Sequence, residues 1–177
     1  MRPLEIALLG SLLVVGGAAC SPNGSGGGGG NDDAGNTVPC ADGGTVTLNV
    51  TGPSCLWAPD HKMVLFTLAD VTAETTGSCT VPQLSIVSIT SNQPATGSGS
   101  GNFSPDYTFN STGLCLREER DGTSSDPRIY TITFQATDGN ITVQKSVEVF
   151  VDHSQNGVAC PSTDPSRIVP DGDPRCN

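Results

Sequence analysis

The chain has 177 residues, of which 18 are acidic and 8 basic, for a formal net charge of −10. A polyanion needs a basic footprint, so this balance excludes nucleic acid as a partner. Charged residues are only 15% of the chain while Thr and Ser abound, a composition suited to solvent-exposed β-structure in a soluble, exported domain.

The N-terminus reads as an export signal over residues 1–19. Met1 and Arg2 give a positive start, Ile6 to Val15 is apolar, and Gly16 to Ala19 are small. An apolar run of about ten residues is too short to cross a hydrocarbon layer roughly 30 Å thick, and the three-part pattern marks a signal peptide. Cys20 follows the small residues directly, as in bacterial lipoproteins, whose cysteine thiol takes a diacylglycerol. Gly17 stands where that pattern has Leu or Val, and Glu5 weakens the positive start, so ordinary cleavage after Ala19 is the alternative.

Cysteine parity favours the lipid. With Cys20 acylated, six remain: Cys40, Cys55, Cys79, Cys115, Cys160 and Cys176. An even set in an exported chain reads as disulfides, whereas a free Cys20 leaves an odd thiol in an oxidising compartment. Ser21 lacks the acidic character of an inner-membrane retention signal, which points to the outer membrane or cell surface. Residues 20–37 read as a lipid-anchored Gly/Ser-rich linker with almost nothing to bury, hence a disordered tether spanning roughly 20 Å r.m.s..

From residue 38 to 153 the pattern is all-β. Alternation predicts strands at 45–50, 63–72, 84–91, 106–109, 114–119, 128–137 and 141–151, separated by Gly, Asn, Asp and Pro turns. The second changes phase at Ala69–Asp70, which predicts a bulge. In the last, Lys145 falls on the apolar face, which predicts an edge or a bulge. "DGN" (138–140) joins the two longest strands as a hairpin signal. About seven short strands with such turns predict an antiparallel, immunoglobulin-like β-sandwich. Tyr130, near a strand start, reads equally as a tyrosine corner or a plain core tyrosine. The tail, 154–177, is polar and proline-rich and needs a staple. Proximity in sequence suggests Cys40–Cys55, Cys79–Cys115 and Cys160–Cys176.

Four strings carry a resemblance: "LWAPDHKMV" (56–64), "ITSNQPATGSGSGNFSPDY" (89–107), "LREERDGTSSDPRIYTITFQATDGN" (116–140) and "VEVFVDH" (147–153). In this order they resemble an extracellular bacterial immunoglobulin-like module of the hyalin-repeat or cadherin-like sort. The resemblance implies an accessory, adhesive or spacer role rather than a reaction. Ser98, Ser100 and Asn102 stand where the family often has Asp between glycines, which impoverishes any calcium site that loop holds in relatives.

The residues themselves offer little reaction chemistry. His61 and His153 are far apart in sequence, and no metal or nucleophile motif accompanies them. His61, after Asp60, reads as a turn or surface histidine. Arg117, Glu118, Glu119 and Arg120, with Arg128 nearby, read as ion pairs on a solvated sheet, or else as a polar recognition patch. Asp106, Asp138, Asn140 and Asp152 are the calcium candidates, with Asp121 beside them, though such residues are more often turn formers. No other cofactor is indicated. Trp57 reads as core, and otherwise Trp57 or Tyr107 supplies an aromatic platform for a sugar. These readings converge on a non-enzymatic, lipid-anchored envelope protein. Its sheet faces and loops such as 92–105 meet a protein or polysaccharide. The alternatives are a carbohydrate-binding accessory domain or a calcium-dependent adhesive one.

Overall fold

A computed structural model describes residues 36–41, 43–97, 99–138, 141–152 and 160–177. The expected signal peptide, Cys20, the linker through residue 35, Asn140 and His153 lie outside the described residues.

The chain is all-β. Eleven strands occur among the described residues: β1 Thr37–Pro39, β2 Thr45–Val50, β3 Cys55–Leu56, β4 Met63–Thr67, β5 Val71–Thr75, β6 Gln83–Ser91, β7 Tyr107–Phe109, β8 Gly113–Arg117, β9 Arg128–Thr137, β10 Thr142–Val151 and β11 Ile168–Val169. They form three sheets, ordered β1-β2-β5, β3-β10-β9-β6 and β11-β4-β8-β7. The pairings are antiparallel except β3 with β10.

The strand count exceeds the expected seven for physical reasons. The run 63–72 is not one bulged strand. It ends at Thr67, makes a 3-10 turn over Leu68–Asp70, and restarts as β5 in another sheet. A capping box fixes this corner: the Thr67 hydroxyl accepts from the Ala69 amide, and the Asp70 carboxylate accepts from the Thr67 amide. The short β1, β3 and β11 are edge additions too brief to leave a periodic signal. A register shift between Ile86 and Ser88 leaves Val87 facing solvent. Lys145 sits where β10 has an edge: β3 reaches only Phe150 and Val151, and the β9–β10 register runs without a bulge.

One core unites the layers. Leu48 of β2, Phe66 of β4, Leu114 and Leu116 of β8, Ile132 and Phe134 of β9 and Val149 of β10 pack in a single buried cluster. Each such side chain contributes roughly 1.5–3 kcal/mol by leaving water. Strict alternation on β9 sends Tyr130, Ile132, Phe134 and Ala136 inward, as its sequence predicts.

The tail is not an appendage stapled to itself. Its residues cover the outer face of β4 and β8, where Met63, Leu65 and Cys115 meet Val169 and Cys176 in a second cluster. Arg167 grips Asp70 through two hydrogen bonds (2.9 and 2.6 Å). This pairing holds the Asp70 carboxyl below its ordinary range, although burial acts to raise it. Every sequence-proximal disulfide guess fails. The bridges are Cys40–Cys79, Cys55–Cys160 and Cys115–Cys176, across 39, 105 and 61 residues. Strands adjacent in space are distant in sequence here, so cysteine spacing carried no pairing information. In the chain-entropy account, loops of this length are worth about 4–5 kcal/mol each.

A candidate binding site over a buried charged cluster

The segments 57–62, 92–97, 99–106 and 118–127 gather at the end of the sandwich where β8 finishes and β9 begins. Backbone bonds lace them together. His61 donates to Glu118 O (3.0 Å), Glu118 to Lys62 O (2.8 Å), Arg117 to Asp106 O (2.7 Å) and Gly122 to Gly99 O (2.8 Å). Side chains of Asn92 and Gln93 reach across to residues 121–129. Two glycines permit this closeness. A Cβ on Gly99 would lie 1.8 Å from Asp121 Oδ1, and Gly101 has φ +49° beside the His61 ring.

The charged run is buried, which overturns the solvated-sheet expectation. Arg117, Glu118, Glu119 and Arg128 are at most 1% exposed, and Arg120 is 7% exposed. Strand alternation stops short of this run, because β8 ends at Arg117 and the chain turns at once, with Glu119 N–H bonding Arg117 O (2.8 Å). Asp106, 3% exposed, pairs with Arg128, which also donates to Pro94 O (3.1 Å). Arg117 donates to Pro105 O (3.0 Å), His61 O (2.8 Å) and the Asp171 carboxylate (3.2 Å). Arg120 caps Ser124 O. The guanidiniums thus satisfy loop carbonyls that no sheet can reach.

Of the two readings of Tyr130, the core tyrosine is the one found: it belongs to the main buried cluster. It is fully buried, but its hydroxyl donates to Arg117 O (2.9 Å) on β8, thirteen residues upstream. It therefore ties β9 to a strand of the opposite layer. Burial pushes its pKa up.

The acids beneath the loops titrate abnormally. Burial, opposed by a hydrogen bond from Thr163 and reinforced by Asp60, pushes Glu118 up to about 7. Burial also raises Glu119; the His61 ring lies against it, with Nδ1 3.4 Å from Oε2, and Arg117 Nε lies 4.0 Å from the same oxygen. Asp60 is held low by Lys62 against the effect of burial. Among the described residues, the buried side-chain atoms without a hydrogen-bond partner fall in this cluster: His61 Nδ1, Asp106 Oδ1, Arg117 Nη2, both Glu119 oxygens, Arg120 Nε and Arg128 Nε.

Above the charges lies an aromatic stack. Phe103, 44% exposed, stacks on His61 with centroids 4.3 Å apart, and Arg117 approaches the same ring at 5.9 Å. His61 adopts φ 66°, so it does order a turn, but it also positions this stack. Sequence reading missed Phe103, because a lone Phe in a Ser/Gly loop has no periodicity to mark it. The two rings proposed for a sugar platform are half-buried instead. Trp57 clamps Thr163 through its backbone (2.6 and 3.1 Å), and Tyr107 packs edge-on against Tyr130.

Among the described residues the calcium candidates do not assemble. Asp106 is taken by Arg128. Asp138 accepts the Ile141 amide (2.9 Å) at the far end of the β9–β10 hairpin, roughly 30 Å away at about 3.3 Å per residue. Asp152 is half-buried next to Val151, level with Arg128. Asp121 binds Thr123 as a turn former. Among the described residues no three His, Cys, Asp or Glu converge as metal ligands.

Beside this end, a groove of about 410 Å³ separates Ser91, Gln93 and Ala95 from Ser104, Pro105 and Tyr107. Comparison with known proteins adds no relative: no family model, curated protein or solved structure matches the chain.

Proposed function

We propose that this chain is a bacterial envelope lipoprotein, anchored through Cys20 in the outer membrane, whose sandwich is a non-enzymatic binding or structural module. Its loop end contacts a protein or polysaccharide. The observation that carries the binding reading is Phe103. A large apolar ring lies exposed, stacked on His61, above loops braced by buried arginines. Rigid aromatics on a pre-ordered base are the usual anchors of interfaces. The reading of the N-terminus rests on the sequence around Cys20 alone.

Two measurements test it. Cys20→Ser should move the exported protein from the membrane fraction to the soluble one, and retention in the membrane refutes the anchor. The released protein should co-sediment with isolated envelope material, and Phe103→Ser should weaken that about tenfold. Absence of co-sedimentation, or indifference to Phe103→Ser, refutes the binding reading.

A further inference from the structure

Glu118 is a buried residue on which two other chain segments close. It is 1% exposed and directly follows the end of β8. On the loop 57–62, the His61 amide donates to its backbone carbonyl (3.0 Å), and its own amide donates to Lys62 O (2.8 Å). On the tail, the Thr163 hydroxyl donates to its carboxyl. Thr163 also clasps the loop: its amide donates to Trp57 O (2.6 Å), and its hydroxyl oxygen accepts from the Trp57 amide (3.1 Å). Residues 161–166 are tied at both ends, by the Cys55–Cys160 bridge and by Arg167 on Asp70. They form a strap whose opening between these anchors leaves the rest of the tail in place.

The strap is fastened over a pair of carboxyls. The Asp60 and Glu118 side chains hydrogen-bond each other, which two carboxyls do only while one of them keeps its proton. Burial, with Asp60 facing it, makes Glu118 the one that keeps it. The surrounding groups do not change this. Lys62 pairs directly with Asp60 and attracts Glu118 only at longer range. The tail presents the uncharged Thr163 hydroxyl, while Asp164 caps the Ser166 amide. Within its own run, Arg117 bonds the Pro105 and His61 carbonyls, and Glu119 lies against the His61 ring. An ionised Glu118 is therefore a second carboxylate beside Asp60, closed off from water.

We propose that Glu118 is a latch that closes the 161–166 strap over the 57–62 loop in acid and releases it as pH rises to neutrality. The loop carries His61, on which Phe103 stacks, so the latch sets how firmly that platform is held. Control of binding rests on the reading of Phe103 as the anchor, whereas the opening of the strap does not. The direction follows from linkage. Under the closed strap Glu118 keeps its proton to about pH 7, and in water to an ordinary 4.5. Closure is therefore strongest below pH 4.5 and is lost as pH rises through about 7. The difference between the two values makes opening up to about 200-fold more frequent at pH 8 than at pH 4.

The test uses the released Cys20→Ser chain and hydrogen exchange at the Thr163 and His61 amides, corrected for the intrinsic effect of pH on exchange. Their protection should fall between about tenfold and 200-fold from pH 4 to pH 8, and stay below that of Ile132 in the centre of β9. Glu118→Gln keeps a neutral side chain at every pH, so the fall should vanish. Asp60→Asn, a change at a partly exposed side chain, removes the facing charge and should move the fall to lower pH; it decides the matter where Glu118→Gln fails to fold. Constant protection in the parent chain, an equal fall in Glu118→Gln, or an unmoved fall in Asp60→Asn overturns the latch. On isolated envelope material, binding of the parent chain relative to Glu118→Gln should weaken at least about threefold from pH 5 to pH 7.5. No envelope binding at either pH refutes the Phe103 reading and leaves the exchange result standing. A strap that opens with pH while relative binding stays constant overturns the control of binding alone.

Discussion

Replacing Arg128 with alanine should strip the loop end of its foundation. The guanidinium is fully buried and pairs with Asp106, itself 3% exposed, while also donating to Pro94 O. Alanine leaves the Asp106 carboxylate buried without its cation, and the Pro94 carbonyl loses a charged donor. Breaking a buried pair by removing one partner costs about 3–5 kcal/mol. For a domain of this size, a urea dependence of roughly 1.5 kcal/mol per M converts that cost to a midpoint lowered by about 2–3 M. The assay is urea unfolding of the oxidised protein, followed by the fluorescence of Trp57. Arg128→Met combined with Asp106→Asn removes both charges and should recover more than half of the loss. A single-variant cost below about 1 kcal/mol, the size of an exposed pair, would refute the claim that this pair is buried and structural.

Other expectations follow from the same contacts. Glu118 sits at about 7 in the folded protein against an ordinary 4.5, so the folded state holds its proton longer. Its stabilising contribution is full below pH 4.5 and is lost as pH rises to about 7. Glu118→Gln should flatten the fall in urea midpoint between pH 5 and pH 8, and an unchanged slope would show that another group titrates there. Cys176→Ala, paired with Cys115→Ala, should cost about 4 kcal/mol in the same assay and speed proteolysis of the tail, because the bridge closes 61 residues over Met63 and Leu65. Millimolar calcium should leave the melting temperature within about 1 °C, since Asp106 is already paired and Asp138 lies at the opposite end. A rise of several degrees would reinstate a calcium site.

Much of the architecture was legible from residues alone. Alternation along 128–137 and 141–151 named the inward faces of β9 and β10, because a two-residue period is a local property of a half-buried strand. Parity marked six cysteines as partners. Their pairing was not legible, since it depends on which strands a folded topology brings together, as when Cys55 on β3 meets Cys160 across 105 residues. The charges of "LREER" misled for the same reason. Local pattern makes such residues look solvated, and only the return of residues 57–62, 92–97 and 99–106 over them seals them from water. The chain's own composition and periodicity thus determined that it would be layered β-structure braced by disulfides. Tertiary contact alone decided that Phe103 would crown one end and that Arg128 would be buried against Asp106. Burial and pairing are relations between distant segments, and no single segment encodes them.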